Sequence, residues 1–165
     1  MEKTFWQRNR EAAIVLILVI PCCLVSVLTI YAPRHGLKPW AWCLSNMKQT
    51  STAALMYMSD HDGRMPLANW MEGLSLQLKD RDVMGCPQNV HEKKAYGFAL
   101  KSGLEGINET HLQAGETMVM FFEASSSRDN VIANLSERVS WHQGASNVGF
   151  FDGHARRVDM NTPLR

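Results

Sequence analysis

Trp141-His142-Gln143-Gly144-Ala145-Ser146-Asn147-Val148-Gly149-Phe150-Phe151-Asp152-Gly153-His154 is a strand-turn-strand pattern with a histidine at its entrance. Asn147 to Phe151 is apolar and aromatic, Asp152-Gly153 tolerates the positive φ angles of a tight turn, and His154 to Val158 is suited to return as a second strand. The spacing predicts a C-terminal β-hairpin.

Working towards the N-terminus, two more strands are expected. Thr117 to Phe122 (TMVMFF) combines branched, aromatic and thioether side chains suited to a buried strand, and Ala95 to Leu100 (AYGFAL) is short and aromatic. Ser125 to Asn130 reads as a polar loop. From Ala41 to about Ser59, Leu44, Met47, Ala54, Leu55 and Met58 fall at helical spacing with Lys48, Gln49 and Thr52 on other faces. Asp60-His61-Asp62-Gly63-Arg64-Met65-Pro66 closes this helix with Gly and Pro, Asn69 to Leu78 suggests a short second helix, and Val83 to Pro87 an extended or turn segment. One long amphipathic helix followed by short antiparallel strands defines an α+β class, with the helix covering one face of the sheet.

Ala12 to Ala32 (AAIVLILVIPCCLVSVLTIYA) contains no charged residue and is about the ~20 residues that cross a bilayer as a helix. It exceeds the apolar core of a cleaved signal peptide, and Ile30 stands where a small residue would precede cleavage after Ala32. A retained transmembrane helix over 12–32 is expected, with Pro21 as a kink that membranes tolerate. Lys3, Arg8 and Arg10 before the run, against Arg34 and Lys38 after it, favour a cytoplasmic N-terminus over 1–11. The breakers Pro33, Gly36 and Pro39 make 33–40 a linker, which leaves 41–165 as the globular domain. Tyr31, Trp40 and Trp42 lie where aromatic rings settle at a lipid interface, or they pack on the domain's own helix.

The formal net charge of +1 over 165 residues carries no electrostatic footprint for nucleic acid. Cys22 and Cys23 fall within the apolar run, which leaves Cys43 and Cys86 as a pair. In an extracytoplasmic domain that pair is compatible with one disulfide, and two buried thiols are the alternative. His142, Asp152 and His154 have the chemistry of a metal site or an acid/base pair, but the spacing favours a structural role, with Asp152 shaping the turn and His142 bonding the facing loop. Asp60-His61-Asp62-Gly63 lacks the twelve-residue calcium-loop pattern ending in Glu. No Gly-x-Ser-x-Gly elbow, phosphate-cradling loop or His-Glu-x-x-His helix is present, so no catalytic residue, metal or cofactor is assigned.

Cys43-Leu44-Ser45-Asn46-Met47-Lys48-Gln49, Ala54-Leu55-Met56-Tyr57 with Asp60 and Asp62, Cys86-Pro87, Tyr96-Gly97-Phe98 and the His142 to Gly153 motif follow one another along the chain. This order resembles the type IV prepilin-like proteins, and within them the His-x9-Asp-Gly branch similar to the major pseudopilins of type II secretion. The resemblance runs from Cys43 to about Asp159. It implies a pilin-like fold, His142, Asp152 and Gly153 as structural family markers, and Glu11 as the glutamate at the start of the apolar helix. It further implies a lipid bilayer, other pseudopilins and secretion-platform proteins as partners. The leader departs from the family: no glycine stands directly before Ala12, and the Phe-Thr-Leu-Ile-Glu signature is missing. The expectation is therefore a single-pass inner-membrane protein that keeps its anchor and presents an extracytoplasmic pseudopilin-like domain as a structural or assembly protein. An anchored binding module that does not polymerise is the alternative.

Overall fold

The computed structural model describes residues 38–86, 97–112, 117–125, 129–140 and 142–164, together with the isolated residue 21. The chain divides into two compact units, Met1–Gly36 and Leu37–Arg165, and the second carries the sheet and the helices packed on it. Among the described residues no helix is long and apolar enough to cross a membrane. The expected span over 12–32, the Glu11 position and most of the linker lie outside the described residues.

Helix α1 runs from Pro39 to Asp60, starting on a proline whose missing N–H costs nothing in a first turn. Its buried face is built from Cys43, Met47, Thr50, Ser51, Ala54 and Met58, spaced three or four residues apart except at the Thr50-Ser51 step, while Lys48, Gln49 and Thr52 face solvent. Thr50 satisfies its buried hydroxyl by donating to the Asn46 carbonyl one turn back, at 3.0 Å. The helix stops where Asp62 and Gly63 adopt φ of 51° and 74°, which turns the Gly63 amide onto the Met58 carbonyl at 2.8 Å. Helix α2 is the short Trp70–Leu74 segment, followed by a 3-10 turn at Arg81–Met84.

Five strands form one sheet: β1 Phe98–Lys101, β2 Val119–Glu123, β3 Ile132–Ala133, β4 Ala145–Phe150 and β5 Ala155–Asp159, in the order β3-β1-β2-β4-β5. Three of its pairings are antiparallel, but β3 pairs parallel to β1 through Leu100 with Ile132 and Lys101 with Ala133. The sheet is therefore mixed, which corrects the expectation of a purely antiparallel one. A two-residue strand is too short to show a period of two, so this edge has no signature in the sequence.

The sheet has two apolar faces. Phe98, Leu100 and Phe121 join the α1 side chains and Trp70, Met71 and Leu74 in one core. Trp70 anchors it, stacked obliquely on Phe121 and donating its indole N–H to the Val131 carbonyl at 3.0 Å. On the opposite face Ala99, Val119, Phe122, Val148 and Phe150 form a second cluster, against which Val131, Leu135 and Leu164 pack. A register shift between Val119 and Phe121 breaks the alternation, and Met120 and Phe121 both join the α1 side. Double coverage explains why all six residues of β4 are buried.

Helix α1 approaches β4 so closely that Gly149 has no room for a side chain, because a Cβ there would lie 2.1 Å from Ser51 Oγ and 3.3 Å from Met47. Gly149→Ala should destabilise the domain by about 1 to 3 kcal/mol through overpacking. Adding Ser51→Ala should recover part of that loss. Thermal unfolding of the two variants beside the parent checks this, and equal melting temperatures for all three would show the helix free to move aside.

Candidate functional site

The hairpin turns differ from expectation in a way that positions the site. The two-residue turn with positive φ at both centres is Gln143-Gly144, at 53° and 81°, closed by reciprocal backbone bonds between His142 and Ala145. The expected two-residue turn at Asp152-Gly153 is a longer connection: only Gly153 is left-handed, at φ 85°, and Phe150 N–H reaches the His154 carbonyl. A Cβ at Gly153 would also lie 2.8 Å from Leu55 Cδ1 of α1, the tip of a side chain that would have to shift.

His142 and Asp152 consequently sit at opposite ends of β4 and do not converge. At ~3.3 Å per residue, the strand holds them roughly 20 Å apart. Asp152 Oδ1 accepts from the His154 amide at 3.0 Å and from the His154 ring Nδ1. His154 in turn stacks flat on Phe150, with ring centroids 4.3 Å apart. Burial raises the Asp152 carboxyl, but the bonds from the His154 amide and ring and the attraction of that ring outweigh it, so the group is held below its ordinary value.

A carboxyl held low in the folded state contributes stability that is present above its unfolded value, near pH ~3.9, and is lost as pH falls through the folded value. The turn should thus loosen only below the ordinary aspartate range. The His154 amide resonance followed against pH is expected to move with a midpoint under ~3.9. Asp152→Asn should abolish that movement, and a midpoint at or above the ordinary value would contradict the bond pattern.

His142 has a different environment. It is 4 % exposed, and its Nε2 donates to Oε1 of the fully buried Glu123 at 2.9 Å. Glu123 closes β2, and its other oxygen accepts the Asn147 backbone N–H at 2.8 Å. Asn147 Nδ2 donates both to Glu123 Oε1 at 3.0 Å and to the Trp40 carbonyl in the first turn of α1 at 3.2 Å. Three N–H groups therefore converge on one carboxylate that water does not reach. Arg157 Nη2 donates to the His142 carbonyl, and its guanidinium lies over the Trp40 ring, 5.4 Å from the centroid. Trp40 thus packs on its own domain, while Trp42 remains half exposed.

Beside this network Cys43 of α1 and Cys86 are joined by a disulfide, and Cys86 Sγ lies 3.8 Å from His142 Nε2. One ligand atom from each of Cys43, Cys86, Glu123 and His142 falls within 4.8 Å of all the others, and all four residues are buried. Sequence reasoning singles out three of these four residues. It misses Glu123, because an apolar run that ends at Phe122 makes the next acid look like a solvent marker. Asn147 reads only as a strand residue. The signal that points to Glu123 is an acid appended without a break to the apolar run Val119 to Phe122.

No family model, curated protein or solved structure matches this chain.

Proposed function

We propose that the chain is a membrane-anchored, pseudopilin-like structural or assembly protein of a type II secretion or type IV pilus-like system. In this reading 1–11 is cytoplasmic, 12–32 spans the inner membrane, the linker expected over 33–40 ends where α1 begins at Pro39, and the chain from there on is the extracytoplasmic domain. The observation that carries it is how α1, the element next after the linker, is fastened. Its first turns are tied to the rest of the domain by the Cys43–Cys86 bond and to β4 by the Trp40 carbonyl bonded to Asn147. A domain held rigidly at that end transmits force and orientation from an anchor, which suits assembly more than catalysis. The disulfide also fits an oxidising compartment, and His142, Asp152 and Gly153 are engaged in holding the hairpin rather than presented to a substrate. The reading assigns no catalysis and no nucleic-acid partner.

The alternative, an anchored binding module that does not polymerise, is favoured by an open groove of about 400 Å³ between α1 and the segment after α2. Gln49, Thr52, Met56, Lys79 and Val83 line it, and Met56 is half exposed there. Crosslinking in native membranes separates the two readings. Ladders of the chain, with co-isolation of a secretion ATPase or platform protein, are expected for assembly, whereas a monodisperse monomer without such partners sinks it. Accurate mass of the extracted protein tests the retained anchor, and a mature start between Trp6 and Arg10 would overturn that part.

A further inference from the structure

We propose that Cys43, Cys86, Glu123 and His142 form a redox-gated binding site for a divalent cation of the zinc class, closed by the disulfide when oxidised and by the metal when reduced. The site lies wholly in the interior of the folded domain, so it stands or falls independently of assembly.

Four separate segments deliver the ligands: α1, the stretch after the 3-10 turn at Arg81–Met84, the end of β2 and the Gln143-Gly144 turn. A tetrahedral ion with bonds of about 2.0 to 2.3 Å spaces its ligand atoms roughly 3.3 to 3.8 Å apart. His142 Nε2 is already 2.9 Å from Glu123 Oε1 and 3.8 Å from Cys86 Sγ, and every ligand atom is within 4.8 Å of the rest. Two edges must lengthen: the His142–Glu123 edge, by a few tenths of an ångström, and the one between the two sulfurs, which parts on reduction. Two thiolates, an imidazole and a carboxylate are a set that zinc accepts, whereas magnesium and calcium prefer oxygen.

The surroundings hold these groups as a metal site requires. Glu123 Oε2 keeps the Asn147 N–H while Oε1, still held by Asn147 Nδ2, exchanges its His142 contact for an ion, and Arg157 fixes the turn through the His142 carbonyl. The carboxylate is fully buried and, among the described residues, no Lys or Arg makes an ion pair with it, so a dication would supply charge that the site lacks.

A dithiol reductant transfers two electrons and two protons to the Cys43–Cys86 bond, leaves two thiols and becomes a disulfide itself. Zinc then displaces both thiol protons to solvent as the two Zn–S bonds form, and the proton that His142 Nε2 shares with Glu123 moves to Nδ1, which leaves the Nε2 lone pair for the metal. Reoxidation by a disulfide reverses the sequence and expels the ion.

Full-length protein in detergent, reduced with a dithiol and freed of it anaerobically, should take up a single equivalent of Co2+, with a sulfur-to-cobalt charge-transfer band that Zn2+ abolishes. The oxidised protein should take up none, and Asp152→Asn should bind as the parent does. X-ray absorption of the zinc-loaded parent should count two sulfur and two lighter neighbours. No uptake by the reduced chain, equal uptake by the oxidised chain, or any other neighbour count would overturn the proposal without depending on a variant that folds poorly.

Discussion

Replacing Glu123 with alanine is expected to cost about 3 to 5 kcal/mol of folding stability, because each buried donor left without its acceptor costs about 1 to 3 kcal/mol. The carboxylate accepts from His142 Nε2, Asn147 Nδ2 and the Asn147 amide, and none of these donors has water to turn to. Removing it strands three donors at once, and it also frees the Trp40 end of α1, because Asn147 loses the group that orients its amide. Glu123→Gln should cost less, about 1 to 3 kcal/mol, since one oxygen remains and one NH2 faces another donor. Thermal or denaturant unfolding of both variants checks the ranking. A double-mutant cycle with His142→Ala should be strongly non-additive, because the second substitution removes a partner already lost. Additive losses would mean that the two side chains act separately.

Loss of the Cys43–Cys86 bond is expected to cost about 2 to 4 kcal/mol, because it closes a loop with a sequence separation of 43 and so restricts the unfolded chain. The double variant Cys43→Ser, Cys86→Ser should therefore melt well below the parent under non-reducing conditions and close to it once the parent is reduced in the presence of a chelator. Zinc added to the reduced parent should restore part of the difference, and it should leave the double variant unchanged. Mass mapping of unreduced peptides checks the bond itself, and two free thiols would remove both expectations.

What is legible along the chain is what short-range physics controls. Helix α1 is visible because Met47, Ala54 and Met58 repeat at helical spacing with Lys48, Gln49 and Thr52 between them. It is longer than expected by two residues at its start and one at its end, since Pro39 opens a helix as readily as it ends one. The β4–β5 hairpin is visible from its apolar run and its glycine, but composition points to the wrong dipeptide for the tight turn. Asp152-Gly153 has the conventional composition, whereas Gln143-Gly144 takes the two positive φ values because His142 and Ala145 pair across it.

The parity of the cysteines allows a bond between Cys43 and Cys86, and the apolar stretches name most of the core. Those inferences rest on composition and on periods of 2 and 3.6 residues, which neighbouring side chains impose on one another. The site rests on distances between residues far apart in sequence. Glu123 looks like the polar end of a strand until β4 covers it, and His142 looks like a turn marker until the tight turn swings its ring against Glu123 and Cys86. The parallel β3 edge and the second apolar face are of the same kind. Local sequence determined which segments become helix and strand. Only tertiary packing decided which polar groups lose their water, and that loss makes a carboxylate, an imidazole and two sulfurs into a single chemical unit.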